Sequence, residues 1–341
     1  MVTHPLTRFA LPLLLTATMS CSPVEAATAG SQTSAAPEDI AVHDPALVHG
    51  DGDRDWYVFG TGDENVADGN IPIHTSPQGE DWTPAGHVWD TKPAWLEQEV
   101  PGVANLWAPE VHEHDGTHYL YYAASTFGDN RSVIGLATNS TLDPDAPGYE
   151  WVDRGKVFES HTSDDFNAID PGVVEDAEGT PWLAFGSFWS GIRMVQLEWP
   201  SGKPAPGQGE PIHLADRRDG ENAIEAPHIV QRGGYYYLFV SLDKCCEGLD
   251  STYRIAVGRS ESVTGPYVDA SGVPMLWGGA TVILDGRGSD VAAGGQSVSG
   301  DHLAYHAYGP YDSPGQFRLR VDQLHWTDDG WPEVVPQTFG R

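Results

Sequence analysis

Cysteine is nearly absent: the 341 residues contain three, Cys21, Cys245 and Cys246. With Cys21 set aside near the N-terminus, the remaining two are adjacent and cannot staple distant segments. They either close a vicinal disulfide or sit as two small residues at a strand end, and no second pair lies in reach to make a zinc site. Positive charge is also scarce. Eighteen Lys and Arg, only four of them Lys, stand against 49 Asp and Glu, for a net charge of −31. Such a chain repels nucleic acid, anionic lipid and polyanionic polysaccharide, which leaves a neutral partner. No feature implies a protein partner.

Long apolar runs are missing too, apart from "FALPLLLTATM" from Phe9. That run is too short, and too broken by Pro and Thr, to span a bilayer as a stable helix. Preceded by Arg8, it reads as an export signal. Residues 1–26 are expected to be removed by cleavage after Ala26, or else processing ends at Cys21 in "TMSC", which resembles a lipobox with Thr18 where Leu is usual. The Ser/Ala/Thr-rich stretch 27–38 is a disordered tether in either case. The protein is therefore expected to be secreted, or anchored at a bacterial surface with membrane contact only through a lipid on Cys21. Residues 39–341 remain for a single folded domain.

What the chain has in plenty is punctuation, with Gly at 39 and Pro at 26, and aromatic runs such as "HYLYYAA" and "YYYLFV" in place of helical spacing. Five segments share one design: "DPALVHGDGDRDWYVFGTG" from Asp44, "APEVHEHDGTHYLYYAAS" from Ala108, "DPGVVEDAEGTPWLAFGS" from Asp170, "APHIVQRGGYYYLFVSL" from Ala226 and "GQSVSGDHLAYHAYG" from Gly295. Each holds a turn-forming dipeptide, a short strand, a polar turn and an aromatic strand, which is a hairpin signature. The spacing between segments leaves room for two further strands, as in "RSVIGLATNS" and "YRIAVGRSES". The fold class is all-β, a five-bladed β-propeller of four-stranded units.

In a propeller the inner strands converge on one axis, so a carboxylate repeated at the start of several blades becomes a cluster. Asp44, Asp170 and Glu225 stand at the starts of blades 1, 3 and 4, the last two each after Asn-Ala-Ile. A single Asp before proline reads as a turn residue; three acids in register read as a pocket.

At these residues the chain resembles glycoside hydrolase family 43, and within it the endo-1,5-α-L-arabinanases. The similarity runs through "HDP" (His43–Pro45), "LWAPEV" (Leu106–Val111), "STFGDNRSVIGLAT" (Ser125–Thr138), "NAIDP" (Asn167–Pro171), "FGSFWSGI" (Phe185–Ile192), "AIEAP" (Ala223–Pro227), "DKCCEG" from Asp243 and "GGQSV" (Gly294–Val298). The resemblance implies inverting hydrolysis of neutral plant arabinan, with Asp44 as general base, Glu225 as general acid and Asp170 as a third carboxylate that positions the acid and raises its pKa. Inversion needs the two carboxyl groups roughly 6.5–9.5 Å apart, so that a water fits beneath the sugar. The resemblance further implies that His306, in "LAYHAYG", faces a central calcium held mostly through water. Trp107, Phe127, Phe188 and Trp189 would line the substrate groove, with Asn167 and Ser187 as polar contacts. An exo-acting arabinofuranosidase or β-xylosidase of the same scaffold is the alternative activity. A non-catalytic carbohydrate-binding propeller would typically lack one of the three carboxylates.

Overall fold

The computed structural model describes residues 1, 40–50, 54–310 and 314–335. The chain divides into the units Met1–Ala36 and Pro37–Arg341, and every strand among the described residues belongs to the second. The expected export segment, Cys21 and the tether to residue 38 fall outside the described residues.

Five antiparallel sheets follow one another along the chain, each built from consecutive strands, three with four strands and two with five. Their inner strands are Ala46–Val48, Leu106–His114, Gly172–Glu175, Ile224–Arg232 and Asp290–Ser299. Each inner strand contacts the next, and the fifth returns to the first, so the blades close into a propeller. The closure is hydrogen-bonded, with Leu47 N–H donating to Ser297 Oγ (2.9 Å) and Leu319 N–H to the Ile40 carbonyl (3.0 Å). Helix is nearly absent among the described residues, a five-residue α-helix at Trp95–Glu99 and three short 3₁₀ turns. No helix there is long and apolar enough to cross a membrane.

The apolar residues explain why the blades stand upright around an axis. They do not form one central core; they form a separate buried layer between each pair of neighbouring blades. Phe59, Ile73, Leu120 and Tyr122 fill the gap between blades 1 and 2; Tyr121, Leu136, Leu183 and Phe185 that between 2 and 3. Met194, Leu214, Leu238 and Met275 lie between blades 3 and 4; Phe239, Ile255, Leu303 and Tyr305 between 4 and 5. Val58, Ala304 and Leu319 join blade 5 to blade 1. Sheet faces pack on one another with alternating side chains, and each fully buried large side chain contributes about 2 kcal/mol. Tyr237 meets Trp326 and Trp331 edge-on in this packing. The axis itself is left to polar groups.

One backbone feature recurs in all five blades. Asp44, Ala108, Asp170, Ala226 and Gly295 have φ of 49°, 41°, 56°, 52° and 58°. In four of them a proline follows. The ladder skips these two residues, with register shifts between Trp107 and Glu110, Glu225 and His228, and Gly294 and Ser297. This is a bulge at the axial end of each inner strand. It removes a residue from pairing and re-aims its side chain, and proline is tolerated there because no ladder bond needs its missing N–H. The five left-handed residues, with those that follow them, line a single axial cavity of about 30 Å³.

Candidate active site

Asp44 and Asp170 occupy the same left-handed position in blades 1 and 3, and both line the axial cavity. Glu225 does not share that position. It precedes the left-handed residue Ala226, so its backbone counterpart in blade 1 is His43. The three acids are therefore not in register as the sequence suggested, although Asp170 is electrostatically coupled to both of the others.

The surroundings of Asp44 keep it ionised. Its Oδ2 accepts the Thr61 hydroxyl (2.7 Å) and lies 2.8 Å from His43 Nδ1. Burial alone would raise its pKa, but the neighbouring His43 imidazole, with His306 and the Thr61 hydroxyl, holds it well below the ordinary carboxylate range. Both donors converge on Oδ2, and no donor among the described residues reaches Oδ1, whose neighbour His306 Nδ1 is 3.6 Å away. Thr61 is fixed in turn, its oxygen accepting the Ala108 N–H (2.9 Å).

Glu225 is buried and lies in the opposite regime. Burial pushes its pKa up to about 7, against the lowering effect of the Ser187 hydroxyl, with the Asp44 charge adding to the rise. Ser187 Oγ donates to Glu225 Oε2 at 2.5 Å, and the Tyr253 hydroxyl contacts Oε1. Asp170 accepts the Ala226 N–H (3.0 Å), so it grips the peptide next to Glu225; burial and the charges of Glu225 and Asp44 raise its pKa.

The "GGQSV" stretch makes room for this arrangement. A Cβ at Gly294 would fall 2.1 Å from the Tyr253 ring, and one at Gly295 would fall 2.4 Å from Asp44 Oδ1 and 2.8 Å from the His306 ring. Both glycines are needed because other side chains occupy the space a Cβ would take.

Of the expected groove residues, Phe127 is 86% exposed on a loop of blade 2 and Trp189 39% exposed on blade 3. Phe188 and Trp189 have φ of 54° and 39°, a costly pair for bulky residues. Their turn is pinned by Phe188 N–H on the Ile224 carbonyl (3.0 Å) and Asn222 Nδ2 on the Trp189 carbonyl (3.0 Å). Trp107 is half-buried at the blade-2 counterpart of Glu225. Ser187 is buried against Glu225, and Asn167 is buried with its Oδ1 accepting Ser132 Oγ (2.7 Å), which binds Ser125 in turn. An open cleft of about 850 Å³ is lined by Ala223, Asp243, Lys244, Arg254 and Tyr253, the last of which also contacts Glu225.

His306 is fully buried, and its Nε2 has no hydrogen-bond partner. His43, Asp44 and His306 each offer a ligand atom within 4.8 Å of the others. Both nitrogens of His43 are engaged, by Asp44 and by the Tyr308 hydroxyl, and His306 Nδ1 accepts the Asp44 N–H (3.2 Å), which leaves the proton of the neutral His306 ring on Nε2. The atom of this cluster left with a free lone pair is Asp44 Oδ1, and a cation at His306 Nε2 would first have to displace the ring proton. Cys245 and Cys246 are joined as a disulfide.

The family model for glycosyl hydrolases family 43 matches residues 39–332. The chain belongs to that family. It is 40% identical over 310 residues to the extracellular endo-α-(1→5)-L-arabinanase 1 of Bacillus subtilis, covering 88% of this chain and 92% of that one. It is 39% identical to the extracellular exo-α-(1→5)-L-arabinofuranosidase of Cellvibrio japonicus, over 87% of each. The Cellvibrio cellulosa α-L-arabinanase solved with arabinohexaose superposes with a TM-score of 0.80 at 38% identity, over 87% of this chain and 96% of that one. Membership of family 43 makes this chain a glycoside hydrolase.

Proposed function

We propose that the protein is a secreted endo-1,5-α-L-arabinanase acting with inversion, its catalytic domain spanning residues 39–341 behind an export segment. The observation that carries the reading is the opposed protonation of two carboxyl groups in one funnel, Asp44 held ionised and Glu225 raised to about 7. Glu225 gives its proton to the glycosidic oxygen as the bond to the anomeric carbon breaks. A water attacks that carbon from the opposite face and passes its proton to Asp44 Oδ1, the oxygen without a protein donor. Asp170 holds the Ala226 peptide and thereby the acid. Ser187 and Tyr253 orient its carboxyl group.

Endo action is favoured over exo action by the spread of exposed apolar and open surface over several blades. Phe127 and Trp189 stand on blades 2 and 3, and the open cleft lies on blades 4 and 5, so a chain has support beyond a single blade. Flat apolar faces suit the rings of a neutral sugar, and Trp107 and Phe188 continue that surface. The names of the Bacillus relative and the arabinohexaose complex agree with this substrate. A calcium ion in the His43, Asp44 and His306 cluster would supply positive charge beside the carboxylates, and His306→Ala should weaken calcium binding measured by elemental analysis. Digestion of debranched linear arabinan, sampled early, should give a ladder of oligosaccharides. Release of a single short product from the start would establish the exo alternative and end the endo reading.

A further inference from the structure

We propose that the Cys245–Cys246 disulfide is a positioning element for the reaction, setting the Asp44 carboxylate through Tyr308 and His43. The proposal rests on the reading of Asp44 as the base. The path is a chain of hydrogen bonds between three blades. Cys246 N–H donates to the Tyr308 hydroxyl at 3.0 Å, Tyr308 Oη lies 2.9 Å from His43 Nε2, and His43 Nδ1 lies 2.8 Å from Asp44 Oδ2.

One assignment of protons satisfies every link. A backbone amide can only donate, so Tyr308 Oη accepts there and has its own hydrogen for His43 Nε2. An Nε2 that accepts leaves the ring proton on Nδ1, where it points at Asp44 Oδ2. The Cys246 amide, by orienting the Tyr308 hydroxyl, thus favours the tautomer of His43 that the ionised Asp44 needs. Packing holds the ring in place, since it stacks on His306 with centroids 3.7 Å apart and meets Phe317 edge-on at 4.9 Å. With Oδ2 engaged by His43 and Thr61, the carboxylate is held against rotation, and Oδ1 keeps its place without a protein donor.

The bridge between adjacent cysteines joins no distant segments, so its effect is local. Cys246 has φ of 69°, a region a non-glycine residue leaves readily. A small ring closed through both sulfurs limits that escape and keeps the Cys246 N–H aimed at Tyr308. Its Sγ also lies 3.9 Å from His43 Nε2, so the bridge covers the imidazole.

Tyr308→Phe keeps the ring and removes the link. On linear arabinan its kcat should fall about tenfold with KM unchanged. The same factor should appear on an aryl arabinofuranoside with a good leaving group, because the base acts alike on both. Cys245→Ser with Cys246→Ser should show the same split to a smaller degree, and if that variant does not fold, Tyr308→Phe still decides. Wild-type kcat in Tyr308→Phe, or a raised KM at unchanged kcat, would overturn the positioning role. In an Asp44→Ala background rescued by azide, which attacks without a base, adding Tyr308→Phe should change nothing; a further loss there would place Tyr308 outside the base's service. Full activity of Asp44→Asn without azide would remove the base reading itself, and the proposal with it.

Discussion

Gly295 is the tightest point of the site, because the atoms nearest its missing Cβ belong to Asp44 and His306. Gly295→Ala should lower kcat about a hundredfold or more by displacing the carboxylate, and its φ of 58° adds strain for any side chain. Near wild-type turnover in that variant would show that Asp44 has slack. Glu225→Gln should cut the rate on arabinan by a factor on the order of 10² to 10⁴ while partly sparing an activated aryl arabinoside, which needs less protonation to leave. Equal losses on both substrates would unseat Glu225 as the acid. The acid must carry its proton, and burial raises its pKa to about 7. The kcat/KM profile should therefore hold through mildly acidic pH and fall as pH rises through neutrality; a fall beginning near the ordinary carboxylate range would contradict the assignment.

At the scale of the element, the bulge at the head of each inner strand decides which residues are equivalent, and it explains what the sequence could and could not disclose. The hairpins were legible because alternation, turn residues and aromatic runs are local, and Asp44 and Asp170 because proline marks their turn. The register of Glu225 was misread because Asn-Ala-Ile precedes both it and Asp170, whereas the backbone aligns the residues before proline. Thr61, Tyr253 and Tyr308 reach the site across strand or blade boundaries, contacts that no local pattern encodes. Below the bulges, Glu110 of blade 2 and His228 of blade 4 form a buried pair, Oε2 to Nδ1 3.5 Å. Burial would lower the His228 pKa, but Glu110 and the Val298 carbonyl raise it. The folded protein thus binds this proton more tightly than the unfolded chain. The pair's contribution is complete below the unfolded value of about 6.5 and fades as pH climbs through the higher folded value. The difference in melting temperature between wild type and His228→Gln should accordingly narrow from pH 5.5 to 8.5, and a constant gap would count against the pair.

For the whole molecule, a net charge of −31 acts on a ring whose five apolar layers each join only two blades. Self-repulsion opposes compaction and is screened by salt, so the melting temperature should rise as sodium chloride goes from about 0.01 to about 0.5 M, as the Debye length shrinks. A flat or falling response would show that the acidic surface is already neutralised locally. The recurring bulge has a consequence for how such a protein can change. It offers five seats around one axis, of which two hold aspartate, two hold alanine and one holds glycine. The backbone at a seat is the same whichever residue fills it, and aspartate adopts the left-handed region more readily than alanine. New chemistry can thus be installed at Ala108 or Ala226 by exchanging one side chain without remaking a blade, which makes the axis an evolvable register of interchangeable positions.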